Sequence, residues 1–478
     1  MSKFVPSKKT ISHFMSLIAS ISGIRGTIGG ADKHTLSPPE IARFTSAYGT
    51  LLIRSGAARK VVIGRDARPS GEMVRNIVHG TLIAMGFEVV DIGLSTTPTV
   101  EIAVPLEQAG GGIILTASHN PVEWNALKLL NANGEFISED QGKEILEIYN
   151  SGNYAFSEAL EMGHVVQREG YMEQHIDMVL NLDFVKPEIV SAAGFRVVLD
   201  AVNSTGGIFV PALLEKLGVK ECIQIHCEPT GHFAHNPEPL KEHLTDICKA
   251  VKAHKADLGI VVDPDVDRLV FVCEDGELFG EEYTLVSIAD YILQKTPGNT
   301  VSNLSSTRAL RDVTHLYGGN YAAAAVGEVN VVNVMKSSNA VIGGEGNGGI
   351  IYPPAHYGRD ALVGIGLFLT HLAEQGVMAS ELRMRYPAYF MAKKKISLTP
   401  EIDLNFLLEE IELKYKEFKP STIDGVKIDF EDAWVHLRKS NTEPIIRIYT
   451  EAKTQSAADK LADDIISTIE KMISANRP

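Results

Sequence analysis

Hydrophobic and polar positions along this chain alternate between a strand period and a helix period, and the same alternation recurs three times. Lys60-Val-Val-Ile-Gly-Arg-Asp66 is a short apolar run closed by the polar turn Ala67–Gly71 and followed by a helical stretch from Met73. Phe195-Arg-Val-Val-Leu-Asp200 repeats it with the turn Ala201–Gly207, and Asn299–Leu304 with Ser305–Arg308 is a weaker third copy. Each copy supplies a second strand (Glu88–Ile92, Cys222–His226, Tyr321–Val326) and a third (Gly112–Leu115, Leu258–Val262, Ala340–Ile342). Strands alternating with helices predict α/β units with mixed, mostly parallel sheets, whose ligands bind outside the carboxyl ends of the strands. Every third strand runs directly into an unusual polar loop, at 116–121, 263–268 and 343–349. Three such loops at equivalent ends predict a shared cleft.

Beyond residue 385 the pattern changes. Tyr386–Pro400 reads as a connector, followed by a charged helix (Leu404–Phe418), strands around Val426–Phe430 and Ala433–Leu437, and an amphipathic helix from Gln455. This is a smaller α+β domain placed over the cleft. The expected domains are therefore 1–160, 161–277, 278–388 and 389–478, in keeping with a length of 478 residues.

Charge and cysteine usage narrow the function classes. With 45 basic and 60 acidic side chains the net charge is −15, which argues against non-specific binding to nucleic acid or an anionic membrane. No run of eighteen apolar residues offers a membrane span. Cys222, Cys227, Cys248 and Cys273 form no C-x-x-C pair and read as reduced thiols of a cytoplasmic protein. Lys3, Lys8 and Lys9 ahead of Phe14–Ile24 imitate a signal peptide, but three serines interrupt the apolar stretch. A frayed extension ahead of Met15 is the expectation.

The loops carry the chemistry. Ser118, in Thr116-Ala-Ser-His-Asn-Pro121, is a candidate nucleophile or phosphate carrier, although taken alone it reads first as a turn or helix-cap serine. Lys128 should point away from Leu127 and Leu129, either to hold an anion or move a proton, or onto a solvated strand face. Asp263, Asp265 and Asp267 stand at every second position, so extended backbone would project three mutually repelling carboxylates to one side. A hard cation relieves that repulsion. Calcium is a rival because Glu274 falls at the twelfth position of an EF-hand loop, yet Arg268 occupies the glycine position, so magnesium leads. Gly343–Gly349 is neither a P-loop nor a dinucleotide fingerprint; Glu345 and Asn347 are its candidates for binding hydroxyl groups. Arg438-Lys-Ser-Asn-Thr-Glu-Pro-Ile-Ile-Arg447 gathers guanidinium forks and hydroxyls suited to phosphate, or forms a solvated hairpin turn.

Taken in order, Thr116–Pro121, Asp263–Arg268, Gly344–Gly349 and Ser440-Asn-Thr-Glu-Pro444 resemble the four signature loops of the α-D-phosphohexomutase family, which includes phosphoglucomutases, phosphomannomutases and phosphoglucosamine mutases. The resemblance extends over nearly the whole chain from Ile21. It implies a heart-shaped, four-domain enzyme with one loop per domain lining a central cleft. It also implies that Ser118 is the phosphoserine, and that Asp263, Asp265 and Asp267 hold Mg2+ together with the serine phosphate. Glu345 and Asn347 would bind the sugar, and Arg438, Ser440, Asn441, Thr442 and Arg447 the non-reacting phosphate. Arg25, Lys128 and Arg268 match positions near the transferring group; His119 or, first, Lys128 would move the proton. The implied reaction interconverts hexose 1- and 6-phosphates through a 1,6-bisphosphate, which also serves as activator. A sugar phosphate is the expected partner, with the chain a monomer or homodimer. Asn347-Gly-Gly349 replaces the Ser-Gly-His of many bacterial members, and Glu328 stands where some relatives carry histidine. Ser440–Pro444 is closer to the phosphomanno- and phosphoglucomutases. Ile21–Gly26 with Gly344–Gly349 resembles a branch often assigned to glucosamine phosphate, which is the favoured substrate, with mannose or glucose phosphate as the alternative. A metal-dependent phosphatase and a non-catalytic sugar-phosphate sensor are the rival classes.

Overall fold

The computed structural model describes residues 17–20, 23–29, 35–397, 404–439 and 445–475. The extension ahead of Met15 and the segment Ser440–Pro444 lie outside the described residues. Among the described residues, no helix is long and apolar enough to cross a membrane.

Four sheets follow one another along the chain. The first has seven strands in the order Ile18–Ser20, Gly23–Thr27, Trp124–Leu130, Gly111–Leu115, Lys60–Arg65, Glu88–Leu94, His164–Gln167. Lys60–Arg65 lies parallel to both its neighbours. The second sheet is ordered Leu269–Cys273, Leu258–Val262, Arg196–Asp200, Glu221–Ile225; the third is ordered Tyr321–Ala324, Asn299–Asn303, Ala340–Glu345, Gly349–Ile351. In each of the three, a strand of the parallel part turns back into an antiparallel partner: Gly111–Leu115 into Trp124–Leu130, Leu258–Val262 into Leu269–Cys273, Ala340–Glu345 into Gly349–Ile351. The three polar loops are these reversals, which is why they occupy equivalent places.

The fourth sheet is wholly antiparallel, in the order Phe390–Ser397, Ile445–Ala452, Ala433–Lys439, Val426–Asp429. Helices Leu404–Lys414 and Gln455–Ala475 supply the apolar faces of its core. The connector expected over Tyr386–Pro400 is corrected here: Phe390–Ser397 is an eight-residue strand paired along its length with Ile445–Ala452. It lies at the sheet edge, and its Lys393-Lys-Lys395 run, which masks the strand alternation, is the kind of charge that protects an edge from further pairing.

The cores show which sheets share one packed interior. One apolar core runs from Ile176 to Tyr386 and unites the second and third sheets, with the Phe271 and Phe368 rings stacked at 3.8 Å. The first and fourth sheets have cores of their own. Polar contacts therefore join the fourth domain to the third. Arg308, 4% exposed, donates to the carbonyls of Phe430, Glu431 and Ala433. His436 donates from Nε2 to the Asp424 carbonyl at 2.6 Å and accepts at Nδ1 from the Ser305 hydroxyl at 2.9 Å.

Burial pushes His436 down from 6.5 to about 4. A histidine depressed in this way withdraws stability as pH falls from 6.5 toward 4, because the unfolded chain takes the proton first. At about 1.4 kcal/mol per pH unit, that window is worth on the order of 3 kcal/mol. We expect Tm to fall over this range in the wild type and the slope to flatten in His436→Gln. Equal slopes in the two proteins, measured by calorimetry, would show that this contact does not titrate.

Candidate active site

Ser118 is held by its own loop before anything approaches it. Its backbone N–H donates to Thr116 Oγ1 at 2.9 Å, and Thr116 donates onward to Asp66 Oδ2 at 2.7 Å. Asp66 also receives Arg68 Nε at 2.9 Å. The buried Arg68 guanidinium donates to the carbonyls of Ser118, Asn120, Pro121 and Trp124, thereby fixing the loop. Ser118 itself has φ +48°, a left-handed conformation that an L-residue holds only when its surroundings enforce it. This turn aims Oγ across the domain boundary, where it donates to Asp263 Oδ2 at 2.7 Å.

Asp263, Asp265 and Asp267 are all fully buried, with one oxygen of each within 4.8 Å of the others. The calcium-loop and solvated-turn readings both fail: the loop is a hairpin reversal between strands and no carboxylate reaches solvent. Val266, at φ +61°, makes the bend, while the N–H groups of Asp267 and Arg268 donate to Asp263 Oδ1 at 3.2 and 3.1 Å. Burial and the two neighbouring carboxylates push Asp263 well above the usual carboxylate range. The Oδ2 atoms of Asp265 and Asp267 accept from Lys128 Nζ at 2.6 and 3.2 Å, and Asp267 Oδ2 also from Arg359 Nη2 at 2.7 Å. Their Oδ1 atoms are buried without a hydrogen-bond partner. Two orphaned carboxylate oxygens beside a third carboxylate form a hard, all-oxygen donor set that fits Mg2+.

The cations surround this group. Lys128 is 8% exposed, so it does not sit on a solvated strand face. Burial alone would lower its pKa, but Asp265 and Asp267 reverse this and hold it protonated, with the value raised. Arg25 lies opposite Ala126 in the sheet and so shares a face with Lys128. Burial and the nearby Arg268 charge lower the pKa of Arg25. His119 Nδ1 is 3.4 Å from Ser118 Oγ, and burial together with Arg268 pushes that imidazole well below its ordinary value. Lys128 is thus a fixed cation, and His119 a neutral imidazole beside the serine.

Glu345 accepts from Asn303 Nδ2 at 2.8 Å, the Gly327 N–H at 3.0 Å and Arg359 Nη1 at 3.1 Å. Asn347 turns inward to the Gly349 N–H at 3.2 Å. Gly348 has φ +85°, and a Cβ there would stand 2.2 Å from the Leu269 carbonyl. Only glycine permits this backbone approach, through which the third loop docks on the second: Leu269 N–H donates to the Gly348 carbonyl at 3.1 Å.

Arg438 faces Arg447 on the adjacent strand, and Arg447 faces Lys395 on the next. Three cations abreast are unfavourable without an anion. Arg438 Nε is paired with Asp424 Oδ2 at 2.7 Å, and the same oxygen accepts from the Val326 N–H at 3.0 Å, linking the third and fourth domains. Ser440, Asn441 and Thr442 lie outside the described residues.

Several members of this site carry no sequence signal of their own. Arg359, 8% exposed, reaches Asp267, Glu328 Oε2 at 2.8 Å and Glu345 with one guanidinium. Its one local clue is that it precedes Asp360, the N-cap of helix Ala361–Gln375. Thr97, which opens helix Thr97–Leu106 and donates to Asp265, and Arg68 in its turn are likewise anonymous. Lys395 was hidden by the connector reading.

Comparison with known proteins agrees with this fold. Four descriptions of phosphoglucomutase/phosphomannomutase domains match in order: alpha/beta/alpha domains I, II and III over residues 18–155, 173–276 and 280–389, and the C-terminal domain over 397–468. The chain belongs to the phosphoglucomutase/phosphomannomutase family. A phosphoglucomutase/phosphomannomutase of Thermococcus kodakarensis is 34% identical over 94% of this chain and 98% of its own. A probable phosphoglucosamine mutase of Methanopyrus kandleri is 33% identical over 95% and 97%. A family protein of known crystal structure from Burkholderia thailandensis superimposes with a TM-score of 0.82 at 25% identity, covering 96% of this chain and 99% of that one.

Proposed function

We propose that this protein is a phosphohexomutase that interconverts hexose 1-phosphate and 6-phosphate by way of a phosphoserine at Ser118. The observation that carries this reading is the 2.7 Å contact of Ser118 Oγ with Asp263, inside a buried group of three carboxylates ringed by cations. A substrate hydroxyl attacks phosphorus on Ser118, the bond from phosphorus to Oγ breaks, and the sugar becomes a 1,6-bisphosphate. After reorientation, Ser118 Oγ takes back the other phosphate. Charge on the transferring oxygens is offset by Lys128, Arg25 and Arg268, already in place before reaction. Asp263, Asp265 and Asp267 would hold Mg2+, which when bound neutralises phosphate charge. His119, rather than Lys128, is suited to accept the proton, since Lys128 is committed to Asp265 and Asp267. Arg438 and Arg447, with Lys395 beside them and together with Ser440, Asn441 and Thr442, hold the second phosphate; Glu345 and Asn347 hold the sugar. The enzyme works in the cytoplasm as a monomer or homodimer.

Glucosamine phosphate is the preferred substrate in this reading, supported by the Methanopyrus relative's name. Glu328 contributes little as a free anion for an ammonium group, because Arg359 neutralises it. The test is kcat/KM for the 1-phosphates of glucosamine, mannose and glucose, with Mg2+ and catalytic 1,6-bisphosphate. A preference of roughly tenfold, about 1.4 kcal/mol, for glucosamine is the expected outcome. Preference for mannose or glucose would reassign the substrate, and inorganic phosphate released as fast as isomerisation would replace the mutase with a phosphatase.

A further inference from the structure

A second polar cluster lies at the carboxyl end of the second sheet, outside the cleft chemistry. Asp200 closes strand Arg196–Asp200, and its Oδ2 stands 3.1 Å from His226 Nδ1 and 3.1 Å from His235 Nε2. Its Oδ1 is occupied by the Val202 N–H at 3.0 Å. The three side chains place one ligand atom each within 4.8 Å of one another. Asp200 is buried and the two imidazoles are partly so, at 23% and 14% side-chain exposure.

The hydrogen bonding around His235 is what makes this cluster unusual. Its Nδ1 faces the Asn236 carbonyl at 2.8 Å, which can only accept, so Nδ1 carries a proton. Its Nε2 faces a carboxylate oxygen, which also only accepts when ionised. A neutral imidazole cannot serve both neighbours. The ring needs either a second proton or a metal cation between Nε2 and Asp200. A ring nitrogen on a metal with the other N–H given to a backbone carbonyl is the usual arrangement of a histidine ligand. The spacing also suits one. In a tetrahedral site with bonds of about 2.0–2.2 Å, ligand atoms stand about 3.3 Å apart. Three non-glycine residues in left-handed conformation gather here, Val202 at φ +46°, Asn203 at +54° and His226 at +50°, with the Asn203 N–H donating to the His226 carbonyl at 2.6 Å. Backbone held at this cost marks places where side chains must be aimed.

We propose that Asp200, His226 and His235 form a binding site for a transition-metal dication of the zinc class, distinct from the Asp263–Asp265–Asp267 group. One imidazole-rich, carboxylate-completed set favours Zn2+ over Mg2+, whereas the all-oxygen group favours the reverse. The metal acts as a latch behind two catalytic loops. The same turn that bears Asp200 presents Ser204 Oγ and Thr205 Oγ1 to the Pro264 carbonyl at 2.6 and 3.0 Å. Between His226 and His235, Gly231, at φ +70°, packs so closely on Ala67 that a Cβ would lie 2.0 Å from its carbonyl oxygen. Phe233 lies under the Arg68 guanidinium, 5.0 Å from carbon to ring centre, and Arg68 fixes the Ser118 loop. Tying His226 and His235 to Asp200 therefore clamps the segment on which Arg68 rests.

The experiment uses the full-length protein, stripped with a chelator and returned to millimolar Mg2+, then titrated with Zn2+ against a chromophoric competitor and with Co2+ followed by visible absorption. One equivalent of Zn2+ with a rise in Tm, and the intense bands of tetrahedral Co2+, are expected. His226→Gln and His235→Gln should each weaken binding roughly tenfold or more, while Asp263→Asn should leave it in place. X-ray absorption of the wild-type Zn2+ complex needs no variant and should show two imidazole ligands. Absence of binding in excess Mg2+, equal affinity in the histidine variants, or an all-oxygen shell would overturn the site and leave an imidazolium held between Asp200 and Asn236.

Discussion

Ser118→Ala is expected to lose mutase activity by roughly a thousandfold or more while keeping its fold. The reason lies in the geometry around one oxygen. In the proposed reaction Ser118 Oγ is both leaving group and nucleophile, and among the described residues no other hydroxyl contacts Asp263. Cations and carboxylates would still bind substrate, so KM should change much less than kcat. The structural loss is small: alanine keeps the backbone N–H bond to Thr116 and the carbonyl bond to Arg68. It removes one donor from Asp263, whose carboxyl burial already pushes toward the protonated form. That leaves a penalty of about 1–3 kcal/mol at most. Two measurements check this. Isomerisation in a coupled assay should be near background, and mass spectrometry after incubation with 1,6-bisphosphate should show a phosphoryl group on the wild type and none on the variant. Wild-type turnover in Ser118→Ala would end the phosphoserine mechanism, whereas a wild type that binds sugar phosphate without turnover would favour a sensor.

What the chain discloses before folding, and what it withholds, follows from how locally each feature is encoded. The three α/β units were legible because strand and helix periods repeat, and the carboxylates of 263–268 because three aspartates at alternate positions have few inexpensive structures. Alternation alone set Lys128 apart from Leu127 and Leu129 but left a solvated face open, and its partners were not legible: Asp265 and Asp267 lie more than a hundred residues away. Phe390–Ser397 was missed because an edge strand is specified by its neighbour, Ile445–Ala452, while its own lysines read as a linker. Arg68 and Arg359 were missed for a related reason. Each sits in an irregular turn, where no period says which way a side chain points, and each is defined by acceptors from elsewhere: four carbonyls for Arg68, three carboxylates for Arg359. Motifs reveal the groups that react; the groups that hold them are set by tertiary structure.

Arg359 gives the most severe test of that distinction. Its guanidinium joins Asp267 of the second domain's loop, Glu345 of the third domain's loop and Glu328 at the start of helix Glu328–Ser338. Replacement by methionine keeps the bulk but leaves three buried carboxylates without that charge. Breaking a buried pair from one side costs about 3–5 kcal/mol, so Arg359→Met should shift the urea midpoint strongly downward at pH 7. Acidification should then partly restore it. Burial already raises the pKa of Glu328, and loss of the Arg359 charge raises its folded-state value further above the unfolded one. Groups raised in this way bind protons preferentially when folded, so stability returns as pH falls toward 5. Arg359→Lys should be intermediate, because an ammonium cannot present the planar fork that meets three acceptors at once. Activity should fall in both variants, with a higher Mg2+ requirement, since Asp267 Oδ2 loses the nearer of its two partners and keeps only Lys128. A methionine variant with wild-type urea midpoint and Mg2+ dependence at pH 7 would mean that Lys128 alone balances the cleft, and that Arg359 is not the link between the two loops.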